Sequence, residues 1–250
     1  MRLIYLNEFG THRESILFLN GGGQIPFSLH NKLVKFFINK YDFNYIAVEL
    51  PGHGKSKFQK IYDQETFIIS FEQTFRKIIT DADIIVKAMI GFSLGGLLAL
   101  KTIELDIFPV DYLIVYGCGF GIGENEKSTF DYYTSEQFFH DMRWYSIMKE
   151  NHKNGWLNLL KSMNNLMNVN SPIFSDLSKI NSYSEILLVL GDNEELFQPD
   201  YNKSIIREIP SNNIHLIRLK ETSHFDYTSV SWEIFCSKLK EFIEIHNWFR

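Results

Sequence analysis

The chain has 250 residues, a formal net charge of −5 and two cysteines, and its 22 Phe and 12 Tyr make an ordinary soluble composition rich in aromatics. That length suffices for one large α/β domain with an insertion, and the acidic balance without any basic cluster argues against a nucleic-acid partner. Cys118 and Cys236 form no C-x-x-C pair, disulfide framework or zinc pattern; no signal-peptide core and no bilayer-length apolar run is present, so a cytoplasmic protein without membrane action is expected.

Taken in order, residues 2–8 and 15–19 read as strands, with Gly10-Thr11-His12 as the turn between them. The second is continuously apolar, as befits a strand covered on both faces. It runs into Asn20-Gly21-Gly22-Gly23, and a helix pattern follows over roughly Phe27–Asn39. No Gly-Lys-Ser/Thr and no G-x-G-x-x-G follows, so a phosphate loop is not supported. A glycine loop of this kind can instead bring a backbone N–H beside a nucleophile, or be merely flexible.

Tyr45–Leu50 is a further buried strand, closed by the turn Pro51-Gly52-His53-Gly54-Lys55-Ser56. His53 has two readings, a base or a structural loop residue, and the Gly-rich turn beside Lys55 favours the second. An amphipathic helix at about Glu65–Thr80 presents Phe67, Phe71, Phe75 and Ile78/Ile79 on one face. Then comes strand Ile84–Ile90, with Lys87 placed near its solvent-facing start.

That strand leads into Gly91-Phe92-Ser93-Leu94-Gly95-Gly96 and an almost wholly apolar helix. The spacing G-x-S-x-G describes a sharp strand-to-helix turn with Ser93 at its apex, Oγ exposed above the sheet edge. Leu94 offers a backbone N–H in the first helical turn, where donors lack internal partners and negative charge is favoured.

A strand at Asp111–Tyr116 ends in Gly117-Cys118-Gly119-Phe120-Gly121. Strand and helix alternating so regularly indicate a parallel sheet covered on both faces, with ligands beyond the carboxyl ends of the strands. From 122 to 183 the alternation breaks, with helix patterns at roughly Ser135–Lys149 and Gly155–Asn168. This is too long for a plain connection and reads as a helical cap, with residues 1–121 and 184–250 as the core. Among Phe130, Tyr132, Tyr133, Phe138, Phe139, Trp144, Tyr145 and Trp156, a minority is expected to line a pocket and most to pack cap on core. The sheet resumes at Glu185–Leu190, followed by Gly191-Asp192-Asn193-Glu194-Glu195, a helix near Tyr201–Glu208, strand Ile214–Leu219, the loop Glu221–Phe225 and a helix from about Val230 to Ile245.

Ser93, an acidic group at 192–195 and His224 thus stand at the carboxyl ends of separate strands. A serine hydroxyl needs an imidazole to take its proton, and the imidazole needs a carboxylate to fix its tautomer. With Leu19-Asn20-Gly21-Gly22-Gly23, Glu49–Ser56, Gly91–Gly96, Gly191–Glu194 and Ser223-His224-Phe225 in this order, the chain resembles the α/β-hydrolase fold superfamily, in its capped, esterase-like branch. The resemblance implies a mostly parallel, eight-stranded sheet with helices on both faces, Ser93 as nucleophile, His224 as general base, and the N–H groups of Gly22 and Leu94 as oxyanion hole. It places the acid at Glu194, with Asp192 and Glu195 as rivals; Glu stands where Asp is commoner, and Asn20 replaces a common His. It implies no metal or organic cofactor and a small-molecule acyl substrate, an ester or thioester. The alternatives are C–C cleavage, a lyase step or acyl transfer on the same side chains, or a slow-turnover ligand-sensing or partner-binding protein.

Overall fold

A computed structural model describes residues 1–6, 14–23, 31–56, 64–122, 124–133, 135, 137, 144–152, 158, 161, 165–166, 171, 173–180, 183–207, 213–224 and 229–249. The apolar runs become strands β1 (Arg2–Tyr5), β2 (Glu14–Leu19), β3 (Asn44–Glu49), β4 (Ile85–Phe92), β5 (Tyr112–Tyr116), β6 (Glu185–Gly191) and β7 (Ile214–Leu219). They form one sheet in the order β1-β3-β2-β4-β5-β6-β7. Only β1, on β3, is antiparallel. Seven strands rather than eight are therefore present among the described residues. The physical reason is that seven apolar runs exist to form them, and the eighth was implied by resemblance alone.

Two sets of alternating strand residues build two cores. Leu17, Leu19, Ile46, Val48, Met89, Leu113 and Val115 pack against α2 (Gln64–Asp81) and α3 (Leu94–Glu104), through Phe71 and Phe75 of the former and Leu97 and Leu98 of the latter. On the other face Ile16, Phe18, Ala88, Ile90 and Ile114 meet Leu33 and Phe37 of α1 (Asn31–Ile38) and Phe235 and Leu239 of α7 (Ser229–Ile245). Lys87 sits at the amino end of β4, paired with Asp111 at 2.7 Å and Glu14 at 3.5 Å, as its position near the strand's start requires.

Between β5 and β6 the described residues carry α4 (Glu124–Tyr133) and α5 (Trp144–His152). The expected helix at Ser135–Lys149 overlaps α5 at its carboxyl end, and residues 136 and 138–143 of that range lie outside the described residues; α4 has no counterpart among the expected elements. The first six residues of α4, Glu124–Thr129, are charged or polar and do not announce it by apolar periodicity; an i,i+4 ion pair of Lys127 with Asp131 supports it. At Ser135 both the N–H and the hydroxyl donate to Tyr132 O, at 3.0 and 2.7 Å, where the helix ends. The expected helix at Gly155–Asn168 and the turn Gly10-Thr11-His12 lie outside the described residues as elements. α6 (Pro199–Arg207) joins β6 to β7.

The chain steps from β2 outward to β3 and returns past β2 to β4, so strand order reverses beside β2. Crevices at such reversals, beyond the carboxyl ends of the strands, are where open α/β sheets bind ligands. Leu19 of β2 pairs with Gly91 of β4, so the loops carrying Gly22 and Ser93 leave the sheet side by side.

Candidate active site

Ser93 has φ 49° and ψ −119° as the residue capping α3. Such a backbone costs of order 1–3 kcal/mol and persists only when its surroundings hold it. Here Ser93 N–H donates to Tyr116 O at 3.1 Å, and Ser93 O accepts from Leu97 N–H at 3.0 Å. The flanking glycines are steric necessities. A Cβ on Gly91 would lie 2.6 Å from Gly95 O, and one on Gly95 would lie 2.5 Å from Asn20 O. The G-x-S-x-G spacing therefore lets β4, α3 and the loop after β2 close on one another, with Ser93 left partly exposed at the meeting point.

His224 reaches this point from the loop after β7. Its Nε2 lies 3.1 Å from Ser93 Oγ, and its Nδ1 lies 2.7 Å from Glu194 Oε1. Because the carboxylate only accepts, Nδ1 carries the proton and Nε2 is bare toward the serine hydroxyl. The ring stacks on Phe92, centroids 5.2 Å apart and planes at 25°, and lies 6.0 Å from Phe197. It is 2% exposed.

Glu194 is fully buried and sits on the loop after β6. That loop is laced to the loop after β7: Asp192 N–H donates to Leu219 O at 2.9 Å and Asn193 N–H to Thr222 O at 3.1 Å. Leu196 N–H donates to Glu194 Oε1 at 3.2 Å, while Oε2 has no hydrogen-bond partner among the described residues. The rival acids are occupied elsewhere. Asp192 is exposed and accepts from Arg218 Nε at 2.8 Å, and Arg218 also binds Asp200 at 2.8 Å. Glu195 accepts the backbone N–H of His224 at 2.8 Å, which sets the loop but leaves the ring to Glu194.

Leu94 is the first residue of α3, so its N–H has no acceptor within the helix. Gly22 lies three residues beyond the end of β2, in the loop alongside. His53 is not brought to Ser93 as a base. Both its ring nitrogens are engaged by backbone: Nε2 accepts from Gly23 N–H at 2.9 Å and Nδ1–H donates to Pro51 O at 3.0 Å. Of the insertion's aromatics, Tyr132 is 47% exposed. The side chains of the other seven lie outside the described residues. A cleft of about 290 Å³ lies at the opposite end of the strands, lined by Glu14, Lys87 and Asp111 among others; Lys87 there pairs with both carboxylates.

Phe92 and Phe197, which confine the imidazole, escaped the sequence reading, because an aromatic beside a motif looks like any core residue. The burial of His53 also has a consequence for stability. Desolvation pushes its pKa down to about 4, the neighbouring His152 lowers it further, and its bond to Pro51 O only partly opposes this. Between the ordinary histidine value near 6.5 and about 4, the unfolded chain binds a proton that the folded chain refuses. This contribution is therefore intact above pH 6.5 and lost as pH falls, by on the order of 3 kcal/mol at pH 4. Urea unfolding from pH 7 to 4 should show the slope, and His53→Gln should flatten it. An undiminished slope in that variant would place the acid sensitivity elsewhere.

No family model matches the sequence, and no curated protein matches it. Solved structures do resemble the fold. MenH from S. aureus superposes with a TM-score of 0.73 at 17% identity over 98% of each chain. MGS-M2, an alpha/beta hydrolase enzyme from a Medee basin deep-sea metagenome library, gives 0.69 at 14% identity over 97% of this chain and 94% of that one. A lipase-esterase related protein from Clostridium acetobutylicum gives 0.67 at 18% identity over 97% and 99%. The chain has the α/β-hydrolase fold.

Proposed function

We propose that this protein is a serine hydrolase that cleaves a small or medium carboxylic ester or thioester through an acyl-enzyme on Ser93. The observation that carries the reading is the continuous hydrogen-bonded path from Ser93 Oγ through both nitrogens of His224 to Glu194, ending on a carboxylate shut away from solvent. The description of the C. acetobutylicum neighbour as lipase-esterase related points the same way.

In this reading Ser93 Oγ bonds to the carbonyl carbon while His224 Nε2 takes its proton, and the Glu194 carboxylate faces the resulting imidazolium. The carbonyl oxygen, now an anion, is met by the N–H groups of Gly22 and Leu94, each expected to stabilise it by about 2.7–4 kcal/mol. The imidazolium then gives its proton to the departing alkoxide or thiolate. A water molecule, deprotonated by the same imidazole, attacks the acyl carbon and releases the acid and Ser93. Every proton and electron pair is accounted for by these side chains, so no metal or cofactor is called for.

Residues 122–183 act in this reading as a cap that shapes the acyl and leaving-group pockets. Cys118 and Cys236 form no disulfide, which suits a reducing compartment such as the cytoplasm, and no helix of the described residues is long and apolar enough to cross a membrane. A panel of short p-nitrophenyl esters and acyl thioesters tests the proposal. Turnover preceded by a burst of about one leaving group per chain is expected with at least one of them. Failure with every ester and thioester would turn the assignment toward the ligand-binding or carbon–carbon alternatives.

A further inference from the structure

Gly23 stands one residue beyond the proposed oxyanion donor Gly22 and has φ 75°, a conformation that suits glycine. Both of its backbone polar groups are held by histidines. Its N–H is taken by His53 Nε2, and its carbonyl accepts a hydrogen bond of 2.8 Å from His152 Nε2. His152 lies at the end of α5, inside the insertion, and its Nδ1 also accepts from Gly54 N–H at 3.3 Å. The two rings meet edge to face at 5.4 Å.

The partners dictate the tautomers. A backbone N–H can only donate and a carbonyl only accept, so His53 is bare at Nε2, whereas His152 is bare at Nδ1 and protonated at Nε2. Both rings are therefore neutral in this arrangement. Burial favours that form at His152, while Glu49, its bond to Gly23 and backbone at Gly52 oppose it.

We infer that His152 is a positioning residue for the proposed hydrolytic step, fixing the glycine loop that carries Gly22 from the side of the insertion. The inference rests on Gly22 being an oxyanion donor. His53 ties Gly23 to its own turn at Pro51, within the sheet domain. His152 alone of the two arrives from another layer, 129 residues away in sequence, so seating α5 and setting the oxyanion loop are one event. An oxyanion donor acts only where it points at the anion, and displacement by about 1 Å can cost about 100-fold in rate.

The test compares His152→Leu with His152→Gln, whose amide can reach Gly23 O. Ester turnover by the wild type, and its loss in Ser93→Ala, are established first and judge the hydrolytic reading alone. His152→Leu should then lower kcat about tenfold to 100-fold with KM changed by less than about threefold. His152→Gln should recover kcat to within about threefold of wild type. Amide hydrogen exchange at residues 20–23 should quicken in His152→Leu and not in His152→Gln, whether or not the chain hydrolyses esters. Unchanged exchange in His152→Leu, an unchanged kcat, or an equal loss in both variants would overturn the inference, the last by reducing His152 to packing α5.

Discussion

Ser93→Ala is expected to lower kcat toward esters by about five to six orders of magnitude while leaving the fold intact. The hydroxyl is the group that bonds to the acyl carbon, so its loss removes the acyl-enzyme route rather than weakening it. What remains is whatever the N–H groups of Gly22 and Leu94 contribute to direct attack by water, a residue of about 10³–10⁴ over the uncatalysed rate. Stability should not fall. The strained backbone at φ 49° is held by Ser93 N–H on Tyr116 O and by Leu97 N–H on Ser93 O, and neither bond uses the side chain. Relief of a partly exposed hydroxyl from its bond to His224 leaves the melting temperature close to that of wild type. Burst and steady-state kinetics with the best p-nitrophenyl ester, alongside thermal melts, measure both. A variant that keeps its turnover would show that ester cleavage occurs elsewhere on the chain.

Glu194→Gln should cost about 10⁴ in kcat. The amide matches the carboxylate in shape but cannot stabilise an imidazolium. If its NH₂ turns toward Nδ1, it also forces the ring into the tautomer with the proton on Nε2, unable to accept from Ser93. Asp192→Asn is the companion variant. It loosens an exposed pair with Arg218, worth at most about 1 kcal/mol, and should leave kcat within about twofold of wild type. The two results together identify the acid. If Asp192→Asn proves the damaging change and Glu194→Gln the silent one, the orientation of His224 would have to be reassigned.

Much of the architecture was legible because it rests on local constraints. The seven apolar runs that the sequence shows are the seven strands, and the spacing G-x-S-x-G around Ser93 marks the sharp turn from strand to helix. Such signals are written within a few residues and survive without knowledge of the fold. The ranking of the carboxylates was different. Asp192, Glu194 and Glu195 lie in one short loop, and what separates them is supplied from β7 and its following loop. Arg218 draws Asp192 outward, the backbone of His224 engages Glu195, and Nδ1 of the same residue meets Glu194. No pattern inside the loop encodes that.

The insertion was the least readable part. The first six residues of α4, Glu124–Thr129, are charged or polar, and an ion pair helps hold it, so hydrophobic periodicity passed over it. His152 carried no signal either, as a lone histidine after a run of polar residues. Its meaning comes from Gly23 and Gly54, two glycines on separate loops that only the folded sheet brings together.

Covalent labelling of the native protein with a fluorophosphonate, read by intact mass and peptide mapping, tests the central claim most directly. One adduct per chain, on Ser93 and absent from His224→Ala, is the result expected of a hydroxyl activated by its imidazole. An unlabelled Ser93 in folded protein, or labelling that persists without His224, would contradict the account.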